Sequence, residues 1–314
     1  MGTIPISMRR FLQILQGGLF VCFNFFLLLT IYQVSGVSGN TSSNGYGTPV
    51  YNNIEEFDPS LQRLNSITKL AVYCDSLYEE AVYASPALKF ESSYPEIVSR
   101  VVRKRFYHGY STYGSNNNLV GEFIASVTKK GLSAIVIADD ILKYPYAACS
   151  QQSIVMMDVL KQKGFKTRKV GFEGPKGGHF CFETYFNGKW HFYDPDMEPD
   201  TRLLLAYQRP SVAFIASHQA FMLQVYNQYP QEKMLNLFSN YFYGKINAPA
   251  APRAYWFQLI TKFLSYTLWS FFLVLFILVR RRFLRTSIKT NVRHSRIHFP
   301  KLQPGSSGAI NLEY

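Results

Sequence analysis

The stretch of sequence that decides the fold is CSQQSIVMMDVLKQKGFKTRKVGF, residues 149–172, followed by GGHFCFETYFNGKWHFYDPD, residues 177–196. Its first part has the apolar content of a helix that begins at Cys149 and runs to about Lys163, and Gly164 is placed to end that helix. Three strand-like runs come after it: Thr167–Phe172, Phe180–Phe186 and Lys189–Tyr193. Any fold proposed for the chain has to explain a helix that begins with a cysteine and is followed by three strands.

Asn187-Gly188 joins the last two strands and is the strongest short signal for a β-hairpin with a two-residue type I′ turn. Pairing Phe186 with Lys189 across this turn fixes the register of the hairpin. The pairs that follow are Tyr185 with Trp190, Glu183 with Phe192, Cys181 with Asp194 and His179 with Asp196. Because side chains alternate between the faces of a strand, His179 is expected on the same face as Asp194 and Asp196.

This register places a general base beside a carboxylate. Asp194 lies one diagonal step from His179, with Cβ atoms about 7 Å or less apart, so the carboxylate can hold the imidazole in one tautomer. Cys149 is the candidate nucleophile because it begins a helix after the turn at residues 144–146, and a helix N-terminus and a protonated histidine both stabilise a thiolate. Such a triad performs acyl transfer, in which the thiolate attacks a carbonyl and the acyl-enzyme is released to water or an amine.

The same residues resemble the transglutaminase-like core of bacterial transglutaminase-like proteins. In that family a Cys opens a helix, an Arg follows, a His begins an H-x-x-x-E strand, and W-x-x-x-D-P supplies the acid. The matching residues are Cys149, Arg168, His179 with Glu183, and Trp190 with Asp194-Pro195. The resemblance covers about fifty residues. It implies a papain-like α+β fold, in which the helix of Cys149 packs on an antiparallel sheet, and a catalytic triad of Cys149, His179 and Asp194.

The resemblance also bears on the surroundings of the triad. Family members often have a Gly two residues before the Cys, where this chain has Ala147, and some place an indole upstream of the Cys, where this chain has no Trp. The expected oxyanion donors are therefore the backbone N–H of Cys149 with Gln151 or Tyr146. Three residues are expected to support the site structurally: Arg168, which forms an ion pair, Glu183 and Trp190.

The four cysteines, Cys22, Cys74, Cys149 and Cys181, do not form a disulfide framework. A Cys74–Cys181 bridge would leave Cys149 as the working thiol, and the sequence leaves that pairing open; otherwise Cys181 is expected in the core. Zinc binding by Cys149, His179, Cys181 and His191 is rejected because no pair has a usual ligand spacing. His191 should also point to the opposite sheet face from His179. No metal and no cofactor is predicted.

The net charge of +13 indicates membrane topology rather than nucleic-acid binding. Residues 280–314 hold eight lysines and arginines against one acid, whereas residues 34–253 hold 22 against 19 acids. Residues 34–253 also lack a basic stripe with interleaved aromatic residues. Nucleic acid is therefore not an expected partner.

Two apolar runs predict membrane helices. Residues 11–33 follow Arg10 and fit either a transmembrane anchor or a removed signal peptide. Residues 254–279 fit a second span that ends at Arg280. Because both basic flanks face away from residues 34–253, both termini are expected in the cytoplasm and the central region on the outer side of the cytoplasmic membrane.

The predicted organisation has six parts: a cytoplasmic N-terminus (1–10), a transmembrane helix or signal anchor (11–33), a flexible linker (34–58), an extracytoplasmic transglutaminase-like domain (59–250, core 119–200), a transmembrane helix (254–279) and a basic cytoplasmic tail (280–314). Within the domain, helical spacing recurs over residues 59–85, 94–108 and 119–128. Residues 134–142 fit either a helix or a strand.

The sequence thus predicts a membrane-anchored thiol enzyme that faces the periplasm and acts on amide carbonyls of a protein or peptide of the cell envelope. It does not decide between hydrolysis and transfer to an amine, and it leaves the oligomeric state open. The alternative is a catalytically silent domain of the same fold that acts as a scaffold in envelope or polysaccharide assembly. The complete Cys-His-Asp set argues against that alternative.

Overall fold

The computed structural model describes residues 6–35, 49, 51, 56–114, 116–128, 132–174, 177–197 and 200–295. These residues form a mixed α and β structure with a four-stranded antiparallel sheet. The chain divides into two compact units, one of residues 1–35 with 266–314 and one of residues 36–265. Most of the predicted linker (36–48, 50 and 52–55) and the predicted tail beyond residue 295 lie outside the described residues.

Helix α1, Ile6–Val34, belongs to the smaller unit, and the larger unit begins with a helical region. The elements of this region are a 3₁₀ helix at Pro59–Arg63, α2 at Ile67–Ala84, α3 at Phe90–Arg105, α4 at Leu119–Val127 and α5 at Ala138–Ile141. The helical pattern expected over residues 59–85 is interrupted, because the Ser66 hydroxyl accepts the N–H of Lys69 and caps a new helix. The ambiguous residues 134–142 contain the short helix α5.

Helix α3 begins four residues before the expected Tyr94 and ends before the expected His108. Proline is favoured in the first turn of a helix, yet Pro95 lies in the second turn of α3. Tyr94 beside it is fully buried and donates a hydrogen bond of 2.9 Å to Asp75 of α2. The packing of α3 on α2 therefore outweighs the local preference of Pro95 for a helix start.

Helix α6, Cys149–Gln162, and the strands after it follow the predicted order. Gly164 has a φ of +85°, which ends the helix in the left-handed conformation that glycine allows. The strands are β1 at Lys166–Gly174, β2 at Gly177–Phe186, β3 at Lys189–Tyr193 and β4 at Tyr241–Tyr243. Their order in the sheet is β3-β2-β1-β4, and β4 was not predicted.

The β2–β3 hairpin has the predicted turn and register. Asn187 and Gly188 have φ values of 47° and 76°, as a type I′ turn requires, and the pairing runs from Phe186↔Lys189 to Phe182↔Tyr193. The pairing ends there, so the predicted pairs Cys181 with Asp194 and His179 with Asp196 are wrong. The physical reason is that the chain turns at Asp194-Pro195, and proline cannot donate to a further ladder bond.

The sheet lies between two cores. Helices α2, α3 and α6 cover one side, where Val155, Met156 and Phe182 are fully buried. On the other side Phe172, Cys181 and Phe192 pack against four short helices: α7 at Thr201–Ala206, α8 at Val212–Ser217, α9 at Gln219–Val225 and α10 at Gln231–Phe238. The sequence did not predict this second helical layer.

Helix α11, Pro252–Ser295, follows β4. Two segments are long and apolar enough to cross a membrane: Arg10–Val34 in α1 and Pro252–Arg285 in α11. Within the smaller unit the two helices run antiparallel, since the ring of Phe20 lies 5.6 Å from that of Phe276 and the ring of Phe26 stacks 5.2 Å from that of Phe272. The predicted spans fall inside these helices.

Candidate active site

Cys149, His179 and Asp194 meet where α6, β2 and the turn after β3 come together. Cys149 is the first residue of α6, His179 is near the start of β2, and Asp194 directly follows β3. His179 Nε2 lies 2.8 Å from Asp194 Oδ2. The Sγ of Cys149, a ring nitrogen of His179 and a carboxylate oxygen of Asp196 all lie within 4.8 Å of one another. The structure therefore brings together the three residues of the predicted triad.

Asp194 is held as a carboxylate by four hydrogen bonds, although its side chain is only 1% exposed. Its Oδ2 accepts from His179 and from the Tyr226 hydroxyl (3.1 Å), and its Oδ1 accepts from the N–H groups of Met197 (3.0 Å) and Asp196 (3.3 Å). Burial alone would raise the pKa of the Asp194 carboxyl, but His179 and the bonds from Met197 and Tyr226 hold that pKa below its usual value. The acid is thus charged and fixed in position.

The same surroundings decide the protonation of His179, whose side chain is 9% exposed. Burial alone would lower the pKa of the imidazole, but the charge of Asp194 and the hydrogen bonds to Asp194 and Cys149 raise that pKa well above its usual value. Because Nε2 is engaged by Asp194, Nδ1 is the nitrogen left for Cys149. This arrangement favours a protonated imidazole between a carboxylate and a thiol, as a thiolate–imidazolium pair requires.

Cys149 is partly exposed, whereas Cys74 and Cys181 are buried. Ala148 before it is extended, with φ −75° and ψ 168°, so Cys149 is the first helical residue of α6. The N–H groups of a first helical turn point out of the helix, and the positive end of the helix dipole lies there. The thiol and the backbone N–H of Cys149 therefore share an environment that stabilises negative charge.

Gln151 does not fit the predicted role of oxyanion donor. Its Nε2 donates to the carbonyl oxygens of Ser111 (2.8 Å) and Ile135 (2.9 Å), and its Oε1 accepts from the N–H groups of Ser111 (2.9 Å) and Ala148 (3.2 Å). Both amide hydrogens are therefore used in joining α6 to neighbouring loops. Tyr146 is buried among other tyrosine rings, and its part in oxyanion binding stays a prediction.

Asp196, which the sequence placed on the same face as His179 and Asp194, has other hydrogen-bond partners. Its Oδ1 accepts a hydrogen bond of 3.0 Å from Gln152 Nε2 and lies 2.9 Å from His108 Nδ1. His108 is largely exposed, and the Asp196 side chain is nearly buried. Asp194 is therefore the acid that contacts His179, and Asp196 lies at the edge of the site.

Sequence reasoning missed Gln152, His108 and Tyr226. Gln152 follows Cys149 by three residues and so lies on the same face of α6, a spacing that could have identified it. His108 and Tyr226 reach the site from α3's C-terminal side and from the end of α9. Neither has a local pattern that could have indicated this position.

Arg168, Glu183 and Trp190 form a separate supporting cluster on β1, β2 and β3. Arg168 Nε lies 2.7 Å from Glu183 Oε2, and its guanidinium carbon lies 4.1 Å from the ring centre of Trp190 and 3.8 Å from that of Tyr243. Glu183 is fully buried and accepts the N–H of Val212 at 2.8 Å. The cluster joins the sheet to the start of α8, which is a structural function.

All four cysteines, Cys22, Cys74, Cys149 and Cys181, are free thiols, so the Cys74–Cys181 bridge that the sequence left open does not form. Burial and the charge of Asp75 raise the pKa of Cys74 to about 12. Burial and the charge of Asp194 raise the pKa of Cys181 well above its usual value. Cys181 lies in the core, as expected, and both buried thiols are poor nucleophiles.

Two groups of side chains have donor atoms close enough to hold a metal ion: Cys149 with His179 and Asp196, and His179 with Cys181 and Asp194. In the second group, the 2.8 Å between His179 Nε2 and Asp194 Oδ2 is shorter than the separation of about 3.3 Å between two ligands of a tetrahedral zinc ion. The first group offers three ligands, one of them the proposed nucleophile. His191 is engaged elsewhere, because its ring nitrogens face the carbonyl oxygens of Arg209 (2.9 Å) and Phe186 (3.1 Å).

Comparison of the chain with protein-family models, with curated proteins and with solved structures finds no match in any of the three. The class of site is thus defined by the residues of this chain alone. It is a thiol at a helix N-terminus beside a buried His–Asp pair.

Proposed function

We propose that the chain is a membrane-anchored cysteine acyl-transfer enzyme with a transglutaminase-like, papain-like core. Cys149 is the nucleophile, His179 is the general base and acid, and Asp194 orients His179. The observation that carries the proposal is the 2.8 Å contact between His179 Nε2 and Asp194 Oδ2, on a ring that also approaches the Cys149 thiol. The packing of α6 on an antiparallel sheet and the resemblance in sequence support the papain-like core.

In the proposed reaction the Cys149 thiolate attacks the carbonyl carbon of an amide, and the tetrahedral oxyanion is stabilised by backbone N–H groups at the start of α6. The C–N bond then breaks while the imidazolium of His179 gives its proton to the leaving amine. Water or an amine attacks the resulting thioester, and His179 accepts the proton of that nucleophile. A carboxylic acid or a new amide leaves, and the thiolate is restored.

The proposed substrate is a protein or peptide of the cell envelope, because an amide carbonyl is what this triad attacks and the larger unit is expected to face the periplasm. The proposal includes two spans in the inner membrane and cytoplasmic termini. The antiparallel contacts of α1 with α11 support an uncleaved α1, since cleavage would remove them. The basic residues Arg9 and Arg10, in the first turns of α1, and those at residues 280–282 support the orientation.

Reporter fusions test this orientation in the full chain. A reporter after Tyr314 should behave as cytoplasmic, and one inserted near Gly45 should behave as external, because the basic flanks are retained in the cytoplasm. A cytoplasmic signal from the insertion near Gly45 would reverse the proposed localisation.

Cys149→Ala separates an enzyme from a silent scaffold of the same fold. It keeps the side-chain volume close and removes the nucleophile, so the protein should reach the membrane at the normal level but fail to complement a deletion strain scored for its envelope phenotype. His179→Ala should be about as damaging, because triad members act as a unit. The matched control is Asp158→Asn on α6, which among the ion pairs of the described residues loses the one with Lys161, at partly exposed side chains, and should complement fully.

Full complementation by Cys149→Ala would contradict the catalytic proposal and leave the scaffold in its place. A Cys149→Ala protein that is absent from the membrane would call for Cys149→Ser, which keeps the shape and hydrogen bonding of the thiol and weakens the nucleophile.

A further inference from the structure

Helix α4 exposes large apolar side chains on one face of the larger unit. It buries Gly121 and Ala125, whereas Phe123 is 67% exposed and Val127 is 68% exposed. The two exposed residues are four positions apart, so they lie on the same face of the helix. Phe123 and Val127 together form a small exposed apolar surface on α4.

Hydrogen bonds fix the start of α4 to α11. The Ser265 hydroxyl oxygen accepts the N–H of Val120 at 3.0 Å, and Asn118 Nδ2 donates to Thr261 Oγ1 at 3.0 Å. Ser265 also donates to Asn118 Oδ1 at 3.1 Å. The first turn of α4 is therefore level with residues 261–265 of α11.

If α11 spans a bilayer, the length of its apolar run shows how deep residues 261–265 lie in that bilayer. Residues 263–279 carry no charge, and these 17 residues make about 25 Å of helix. The hydrocarbon core of a bilayer is about 30 Å thick and needs about 20 residues. Arg280 prevents an extension at one end, so the span has to include residues 260–262 at the other.

Residues 260–262 of α11 have properties that suit the edge of the hydrocarbon core. Ile260 is 56% exposed, and Lys262 Nζ lies 2.6 Å from the Asp140 carboxylate, which also pairs with Lys143 at 2.7 Å. The charge of Lys262 is therefore partly compensated. A lysine at this depth would otherwise be costly in lipid. The residues of α11 that bond to α4 thus lie at the boundary of the hydrocarbon core.

We propose that α4 is an interfacial helix, which inserts Phe123 and Val127 between the lipids of the leaflet that α11 enters beside it. The proposal rests on the span of α11 put forward above and goes beyond it, because a span alone assigns no contact to α4. We assign lipid to this surface because the start of α4 is bonded to Thr261 and Ser265 of α11, and the length of the span places residues 260–262 in the bilayer. Ser126 and Thr128, both exposed, supply polar groups that suit the headgroup region.

Nitroxide labelling of the full chain tests this contact. The chain is reconstituted in vesicles of phosphatidylcholine and phosphatidylglycerol, in a Cys22→Ser, Cys149→Ala background in which the two remaining thiols are buried. Labels are placed at Phe123→Cys and at Val127→Cys. Collision with oxygen, which is enriched in lipid, is compared with collision with a nickel chelate, which is restricted to water.

Two further positions calibrate the measurement. Tyr83→Cys, at a residue 92% exposed at the end of α2, is the water-exposed control, and Phe271→Cys in the apolar run of α11 is the lipid reference. The oxygen-to-nickel ratio at Phe123→Cys and Val127→Cys should exceed that at Tyr83→Cys several-fold and approach that at Phe271→Cys.

Water-like ratios at both α4 positions, with a lipid-like ratio at Phe271→Cys, would overturn the α4 proposal, leave the span intact and point to a protein partner for this surface. A water-like ratio at Phe271→Cys would overturn the span of α11 and the α4 proposal with it. Neither result bears on the triad, which is tested by alkylation and complementation.

Discussion

Replacing Asp194 with asparagine tests whether the buried carboxylate sets the tautomer of His179. The asparagine oxygen can still accept the N–H groups of Asp196 and Met197, which now bond to Oδ1. Its NH₂ group then faces His179 Nε2 and can only donate there. His179 has to accept on Nε2 and carry its proton on Nδ1, the nitrogen left for Cys149, so it can no longer take the thiol proton.

The size of the effect follows from the contact that is lost. At a separation of about 4 Å between charge centres and an effective dielectric constant of about 20, a carboxylate and an imidazolium attract by ~4 kcal/mol. That corresponds to about a thousandfold in the population of the thiolate–imidazolium pair. Alkylation of Cys149 near neutral pH should therefore fall by about tenfold to a thousandfold in Asp194→Asn. Turnover should fall by about 10⁴-fold, the usual cost of the wrong tautomer in a triad.

The assay is the rate of reaction of Cys149 with iodoacetamide from about pH 5 to 9, followed by mass spectrometry, because the thiolate is the reactive form. Asp158→Asn is the matched control, since Asp158 lies on the same helix and pairs only with Lys161 among the ion pairs of the described residues. Its rate profile should match the wild type. An unchanged profile in Asp194→Asn would show that Asp194 does not control the imidazole, and the reasoning above would be refuted.

Cys149 should be the first thiol of the larger unit to be alkylated, because Cys74 and Cys181 are buried and burial raises the pKa of both. Peptide mapping after brief labelling measures the order of reaction. Faster labelling of Cys74 or Cys181 would show that Cys149 is not the nucleophile. Tyr226→Phe removes one hydrogen bond to the Asp194 carboxylate and should cost about 1.5–3 kcal/mol of stability in denaturant titration while slowing alkylation less than Asp194→Asn does. Added Zn²⁺ should slow the alkylation of Cys149 and EDTA should restore it, whereas EDTA alone should leave the rate unchanged; a loss of rate with EDTA alone would indicate a resident metal. In thermal melts the wild type should be more stable than Asp194→Asn, and the difference should be largest between about pH 3.9 and 6.5. The Asp194 carboxyl, whose pKa is lowered in the fold, stabilises the fold above the pKa of an unfolded aspartate. The His179 imidazole, whose pKa is raised in the fold, stabilises it below the pKa of an unfolded histidine. An advantage that grows above that range would contradict the assigned directions.

The hairpin and α6 could be predicted because short local signals determine them. Asn187-Gly188 sets both the turn and the register, and Gly164 ends the helix with a positive φ. The contact of His179 with Asp194 was predicted from alternation along the strands. The strand pairing ends at Tyr193, so Asp194 contacts His179 from the turn that follows β3. The contact between these two residues was predicted correctly, but the cross-strand pairing expected to bring them together was not.

The second helical layer could not be predicted from periodicity. Helices α7 to α10 have six to eight residues each, which is too short for a helical pattern to stand out from a loop. Their formation depends on burial against Phe172 and Phe192, which are close only in the folded sheet. The hydrogen bonds of Gln151 could not be predicted for the same reason, because they depend on loops that are close only in the folded chain. Its side-chain amide bonds to Ser111, Ile135 and Ala148 in those loops.

Asp194 links the chemistry of the site to this second layer. A buried carboxylate costs several kcal/mol unless hydrogen bonds and an opposite charge compensate it, and Asp194 has two backbone N–H groups, an imidazole and the Tyr226 hydroxyl. Tyr226 is 2% exposed and packs 5.4 Å from Phe238 in the core of the four short helices, whereas Cys149 is supplied by α6 on the other side of the sheet. Without the second layer Asp194 would be open to water, and its attraction to His179 would weaken, because water screens the two charges. The pKa of the His179 imidazole beside Cys149 would then be raised less. The fifty residues of the motif therefore supply the three side chains of the proposed triad, and Tyr226, within residues 201–238, helps to bury Asp194 and hold it beside His179.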